Sequence, residues 1–281
     1  MHLLTLGNGG AIAINLISDL AFAGLIALAR WGASKTAGSD PRYRKSKLLI
    51  IAVLWALGNG VYFVTGLPFY SLFLFATVLV CGWVLYRELH QFWRVGLVGV
   101  DGEIRVGIDY DESLRMCLSS LDFLGIGAAK LTGSRSAFQE AVSRCDRPGR
   151  PIRLLLSRPD NEGLRKIAQR AGAAPEAYQR TVQESLRVIG QLREQEKNIQ
   201  VRFYQDFPAF RLMFINDNVC LASHYVLGKG DGSQLPQLHI VKTGSSRDVE
   251  SLYYAFQEYF ESIWQDSEEW DFRAYLRESR P

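Results

Sequence analysis

A stretch of 39 residues without Asp, Glu, Lys, Arg or His, from Leu48 to Tyr86, limits what this chain can fold into more than any other feature. An α-helix needs about 20 apolar residues to cross the hydrocarbon core of a bilayer, so the stretch suits two crossings better than one. Thr65-Gly66-Leu67-Pro68 interrupts it with residue types that are typical of tight turns. We therefore predict membrane spans at about 47–66 and 68–87.

A third apolar segment, at about 11–31, is a further candidate span. No Lys or Arg precedes it and only His2 and the amino terminus can carry positive charge, whereas a cleaved signal peptide would offer a basic start, so we predict a retained helix. Asp19 in this span and Asn59 in the next lie at similar predicted depths, and we expect a polar contact between them. The alternative is that the first span begins later, which would leave Asp19 at a shallow position.

The charges of the loops predict the orientation. All six Lys and Arg residues of the first 86 lie between 30 and 47, whereas the 65–68 turn has none. Because basic loops stay in the cytoplasm, we predict a multi-pass protein of the inner (plasma) membrane with its C-terminal domain in the cytoplasm.

Charge and cysteine usage exclude several function classes for the remaining chain. Residues 1–86 carry a net charge of +4, and the other 26 basic and 27 acidic residues give −1 to residues 87–281. A general nucleic-acid-binding surface normally has a clear positive excess, so we expect none. The four cysteines are far apart and no histidines cluster, and we expect neither a metal nor any other cofactor.

From about residue 101 the pattern alternates between strands and helices. Strands are predicted at 118–131, 152–156, 199–204, 210–215, 219–226 and 237–242, and helices after Ser134, around 164–171, at 175–197 and at 247–264. We therefore predict a membrane region over 1–90, a connector over 91–114 and an α/β domain with a partly parallel sheet over 115–281. In the last helix, Tyr253, Phe256, Phe260 and Trp264 are predicted core residues, while Tyr254 and Tyr259 could form a dimer face.

The order of these elements over roughly 115–265 resembles one half of the phospholipase D-like fold. The segments that carry the resemblance are SSLDFLGIGAAKL, SAFQEAVSRC, GRPIRLLLS, AFRLMFIN and VCLASHY. The HxKxxxxD signature of that family is absent, because Ala209, Arg211 and Asn216 stand where its His, Lys and Asp would be. The resemblance implies a fold without catalysis at these positions, and we predict no catalytic residue. Since halves of this fold usually act in pairs, it also implies a homodimer or higher oligomer.

The best remaining candidate site combines Ser223-His224-Tyr225 with the glycine-rich loop 228–235. Glycines in such a loop can present backbone N–H groups to a phosphate, and arginine binds phosphate in a planar fork. The predicted ligand-binding residues are Arg211, His224, Lys229, Gly230, Gly232 and Ser233, with Arg153 as a further source of charge. The alternative is that the loop only connects two strands. Asp122, inside an apolar strand, is a buried carboxylate that needs a partner.

Three functions remain open. The leading hypothesis is a membrane-anchored, non-catalytic sensor or effector whose cytoplasmic domain binds a nucleotide-like, phosphate-bearing ligand or a protein partner and oligomerises. Membrane effectors of bacterial antiviral signalling have this layout, which is an analogy of architecture. The second hypothesis is a diverged phosphodiesterase or phospholipase that uses His224 or His239. The third is a structural membrane protein whose C-terminal domain only mediates assembly.

Overall fold

The computed structural model describes residues 70–225, 232–244 and 251–279. The chain divides into two units, residues 1–87 and 88–281. Helix α1 (Tyr70–Arg94) contains the described part of the first unit, and its side chains Val78, Leu79, Val80, Trp83, Leu85, Tyr86 and Leu89 are exposed. The predicted spans 11–31 and 47–66, with Asp19 and Asn59, lie outside the described residues, and the span 68–87 lies partly inside them.

Within the described part of the chain, no helix is at once long enough and apolar enough to cross a lipid bilayer.

The second unit is built on a mixed sheet. Its described strands are β1 (Leu97–Asp101), β2 (Leu121–Leu124), β3 (Ile152–Ser157), β4 (Ile199–Tyr204), β5 (Phe210–Ile215), β6 (Val219–His224), β7 (Gln237–Val241) and β8 (Glu268–Glu269). They form one sheet in the order β1-β7-β6-β5-β2-β3-β4-β8, in which β2, β3 and β4 are parallel and the other pairs are antiparallel. The prediction of an α/β domain with a partly parallel sheet is confirmed.

Helices cover both faces of this sheet. They are α2 (Tyr110–Met116), α3 (Ala129–Gly133), α4 (Arg135–Cys145), α5 (Glu162–Arg170), α6 (Ala177–Glu194), α7 (Leu252–Gln265) and α8 (Phe272–Ser279). Because successive side chains of a strand point to opposite faces, Phe123 packs among the residues of α2–α6 while Leu124 packs against α7. Tyr253, Phe260 and Trp264 of α7 are buried, as predicted, and Phe256 is partly buried.

The strand predicted at 118–131 is wrong over most of its length. Only Leu121–Leu124 is a strand, and after Gly125 and Gly127 the chain enters α3. A continuous apolar run is equally compatible with a buried strand and a buried helix, and here it contains one of each. The predicted connector, 91–114, contains the edge strand β1 and most of α2.

Two helix starts offer a matched test of capping. The Asn161 Oδ1 atom accepts a 2.8 Å hydrogen bond from the Gly163 N–H at the start of α5, whereas Ser134, which stands at the cap position before α4, makes no such bond. We expect Asn161→Ala to lower the free energy of unfolding by about 1 kcal/mol and Ser134→Ala to leave it nearly unchanged, as measured by urea denaturation. Equal losses for the two variants would contradict this assignment.

Candidate functional site

A cavity of about 390 Å³ lies where β2 ends and β5 begins. Leu124 pairs with Leu212 across these antiparallel strands, and His224 at the end of β6 pairs with Phe210. The first turn of α6 contributes Tyr178 to the wall. This volume lies in the range of small-molecule sites, which is about 300–1,000 Å³.

Arg211, on β5, is a buried charged residue of this region. It is 6% exposed and lines the cavity. Its Nη1 atom donates to the Tyr110 hydroxyl at 2.6 Å, and its Nη2 atom donates to the Gln237 Oε1 atom at 2.7 Å. The guanidinium carbon also lies 5.1 Å from the centre of the Tyr110 ring. Among the described residues, these contacts fix the side chain and engage two of the five N–H donors of a guanidinium group.

No carboxylate among the described residues forms an ion pair with Arg211, although Asp109 shares with it the lining of a small neighbouring cavity. The two hydrogen-bond partners of Arg211 are neutral, and none of the ion pairs in the described ranges includes it. The described lining of the cavity contains a second cation, Lys130, and no Asp or Glu. Burying a cation without an opposite charge is costly, so the electrostatics of this cavity suit an anion.

Tyr204, which is buried, and Tyr225, which is partly buried, hold the backbone at the exit of β2. The Ile126 N–H donates to the Tyr225 hydroxyl at 2.9 Å, and the Tyr204 hydroxyl donates to the Gly125 carbonyl at 3.1 Å. Burial raises the pKa of Tyr225 and of Tyr204 above the ordinary value, so both phenols stay neutral. The cavity wall at residues 125–127 is therefore held by neutral hydrogen bonds.

The structure brings some of the predicted ligand-binding residues together. Arg211, His224 and Gly232 all line the cavity. Ser233 lies next to Gly232, in a short 3₁₀ turn, and its carbonyl accepts a hydrogen bond from the Arg105 N–H at 3.1 Å. Lys229 and Gly230 lie outside the described residues.

The three positions of the missing signature do not form one site. The Ala209 N–H donates to the Tyr259 hydroxyl at 2.9 Å, and alanine offers no nucleophile. Arg211 lies in the cavity, while Asn216 follows the opposite end of β5 and bonds to residues 116–119. Asn216 therefore supports the loop before β2.

Three other candidates have partners outside the cavity. Arg153 was considered a source of charge for the ligand, but it lies on the other face of the sheet and pairs with Asp122 at 2.7 Å and with Glu261 at 2.8 Å. Asp122 thereby has the partner that its burial requires. His239 pairs with Asp101 at 2.6 Å, on the two strands at the sheet edge.

Tyr110 and Gln237 hold Arg211 in place, and neither was predicted as a site residue from the sequence. Tyr110 lies about 100 residues before its partner, and Gln237 begins the strand β7 on the far side of β6. A local motif gives no signal for such contacts, because the sheet topology alone brings these residues together. In the described ranges, no group of His, Cys, Asp and Glu side chains is arranged to hold a metal ion.

The described domain is thus an α/β domain with a cavity that carries a buried arginine at the ends of its strands. The family described as a domain of unknown function, DUF5919, matches residues 111–270. This match covers more than half of the chain, and the protein belongs to the DUF5919 family. No curated protein matches the chain significantly.

Two solved structures are similar to the C-terminal region. One is Nuc, a phospholipase D family member from Salmonella typhimurium, with 13% identity and a TM-score of 0.35 over 61% of this chain and 97% of that chain. The other is the phosphatidylserine synthase of Haemophilus influenzae Rd KW20, with 10% identity and a TM-score of 0.41 over 61% of this chain and 38% of that chain.

Proposed function

We propose that this protein is a membrane-anchored, non-catalytic sensor or effector whose C-terminal domain, a degenerate phospholipase D-like domain, binds a phosphate-bearing anion at Arg211. The observation that carries the proposal is the burial of Arg211 in a cavity of about 390 Å³ with only neutral hydrogen-bond partners among the described residues. A ligand phosphate would supply the missing negative charge, and a guanidinium binds phosphate through paired N–H donors.

The lining of the cavity supports binding more than hydrolysis. Ala209 cannot accept a phosphoryl group, and no described acid or base hydrogen-bonds to the His224 side chain, which is exposed at the end of β6. A histidine nucleophile needs such a partner to fix its tautomer and raise its reactivity. We therefore favour a ligand-binding role over a diverged phosphodiesterase or phospholipase.

The membrane part of the proposal rests on the sequence. The uncharged stretch 48–86, the apolar segment 11–31 and the basic loop between them favour three spans in the inner membrane with the C-terminal domain in the cytoplasm. The exposed apolar side chains of α1 are compatible with a lipid environment. We propose that ligand binding acts on a homodimer or higher oligomer of this chain, with bacterial defence signalling as a candidate pathway.

The proposed function is tested by the ligand dependence of unfolding. The full chain in detergent is titrated with inorganic phosphate, pyrophosphate and a set of nucleoside monophosphates and cyclic nucleotides. A compound that binds the folded state alone stabilises it by about 2.7 kcal/mol at a hundred times its Kd. We expect at least one of them to stabilise the wild type in this way, and Arg211→Met to abolish the effect.

Arg202→Met is the matched control, because Arg202 lies on β4 and its Nη1 atom also bonds to a neutral group, the Trp264 carbonyl, at 2.7 Å. This variant should keep the ligand response even if its basal stability falls. If the ligand stabilised Arg211→Met as much as the wild type, the assignment of the binding site to Arg211 would be refuted. Hydrolysis of a phosphodiester that disappears in His224→Ala would favour the enzymatic alternative.

A further inference from the structure

A short segment between β1 and α2 lies against the strands that hold Arg211. We call residues 102–109 the strap. The Ile104 N–H donates to the Leu235 carbonyl at 3.2 Å and the Arg105 N–H donates to the Ser233 carbonyl at 3.1 Å, while the Ile104 side chain is buried. Leu235 also lines the cavity, so the strap is attached to one wall of the candidate site.

The side-chain amide of Gln237 joins the strap to Arg211. Its Oε1 atom accepts from Arg211 Nη2 at 2.7 Å, and its Nε2 atom donates to the Ile108 carbonyl at 2.9 Å. The arginine can only donate and the carbonyl can only accept, so these partners fix the orientation of the amide. Gln237 is 2% exposed; its bond to Arg211 is buried and its bond to the Ile108 carbonyl is partly buried.

Ile108 of the strap is also bonded to Asp101, the last residue of β1. The Ile108 N–H donates to Asp101 Oδ2 at 2.9 Å, and this oxygen also lies 2.6 Å from His239 Nε2. A Cβ atom at Gly107 would lie 1.8 Å from the Asp101 carboxyl carbon, so a side chain here would displace this carboxylate from Ile108 and His239. A continuous path of hydrogen bonds thus runs from Arg211 through Gln237 and Ile108 to Asp101 at the end of β1.

We propose that Gln237 is the positioning residue of the anion site and couples the occupancy of Arg211 to the strap and to β1. This inference rests on the proposed function, because it takes an anion at Arg211 as the input. An anion that orders the guanidinium also orders the amide that Arg211 bonds to, and the amide holds Ile108. Tyr110, which bonds to Arg211 directly and follows the strap, gives a second connection to the same segment.

Hydrogen exchange of the full chain tests this coupling, with inorganic phosphate as the probe. In the wild type we expect saturating phosphate to slow exchange in residues 123–130 of the cavity and, by about fivefold to tenfold, in residues 97–108. In Gln237→Met, phosphate should still protect 123–130 at a higher concentration but should no longer protect 97–108. A merely structural role of Gln237 would not remove the phosphate response of one segment while leaving that of the other.

Gln200→Met, the same change at an exposed position of β4, is the control and should retain both responses. Protection of 123–130 without protection of 97–108 in the wild type would overturn the coupling while leaving the proposed function in place. Persistence of the protection at 97–108 in Gln237→Met would also overturn it.

If phosphate protects neither segment, the proposed function fails for this probe. Hydrogen exchange of the ligand-free chain then tests whether Gln237 links Arg211 to the strap. Exchange of the Ile108 N–H should then be about tenfold faster in Gln237→Met than in Gln200→Met, because the side-chain bond that holds the Ile108 carbonyl is lost and the segment opens more often. Equal rates in the two variants would overturn the inference.

Discussion

Replacing Arg153 with methionine is expected to lower the free energy of unfolding by about 3–5 kcal/mol, because it leaves a buried carboxylate without its cation. Arg153 Nε and Nη2 bond to the two oxygens of Asp122 at 2.9 and 2.7 Å, and Asp122 is 7% exposed. The Arg153 guanidinium also lies 4.9 Å from the centre of the Phe260 ring. Burial lowers the pKa of Arg153, but the bonds to Asp122 and Glu261 outweigh it and raise the pKa above the ordinary value.

Urea denaturation of the variant measures this loss, with Arg187→Met as the control at an exposed position of α6. The control should stay within about 0.5 kcal/mol of the wild type. Combining Arg153→Met with Asp122→Leu should recover most of the stability, because replacing both members of a buried pair by apolar groups is often nearly neutral. A loss below about 1 kcal/mol for Arg153→Met alone would show that water reaches the pair and screens it.

Asn216→Ala is expected to cost about 3 kcal/mol, since it removes several hydrogen bonds worth about 0.5–1.5 kcal/mol each. Asn216 Oδ1 accepts from the Leu118 and Ser119 N–H groups at 2.7 and 3.0 Å, and its Nδ2 atom donates to the Met116 carbonyl at 2.7 Å. Its φ of 54° lies in the left-handed region, which adds to the cost of alanine. The ligand response at Arg211 should persist, because the two residues lie at opposite ends of β5.

Two further variants separate the contributions at this position. Asn216→Gly accepts the same φ and loses only the side-chain bonds, so its loss should be smaller than that of Asn216→Ala. Asn216→Asp keeps the acceptor for the Leu118 and Ser119 N–H groups but turns a carboxylate oxygen toward the Met116 carbonyl, so it should also lose stability. Asn218→Ala, two residues later and exposed, should leave unfolding unchanged. If Asn216→Ala removed the ligand response without lowering stability, Asn216 would belong to the site and its structural role would be refuted.

The sequence predicted most of the domain because its elements differ in local pattern. Short apolar runs bounded by turn residues gave strands β3, β4 and β5 with ends that agree within a residue or two, and the 3.6-residue periodicity gave α6. The Asn216-Asp217 turn was predictable as well, because both residues tolerate the positive φ that they adopt. Local signals failed at 118–131, where a strand and a helix share one apolar run.

Some residues of the candidate site were predictable from the sequence and others were not. Arg211 was found because it replaces the lysine of a known signature, and His224 and Gly232 because polar and glycine residues follow a strand. Tyr110 and Gln237 gave no signal, since their role depends on which strands become neighbours in the sheet. The prediction that Arg153 supplies charge to the ligand was wrong for a related reason. Successive side chains of a strand point to opposite faces of the sheet, and Arg153 points to the face that α7 covers.

The position of β1 at the edge of the sheet has a consequence during synthesis of the chain. Its partner along the sheet is β7, and Leu97 pairs with Ile240, about 140 residues later. At about 5–20 residues per second, a ribosome needs roughly 7–30 s to produce that partner after β1 has been made. Until then the exposed valines of β1, Val98 and Val100, remain on an unpaired strand next to the apolar helix α1 in the sequence. The first strand of the sheet along the chain is therefore among the last to pair.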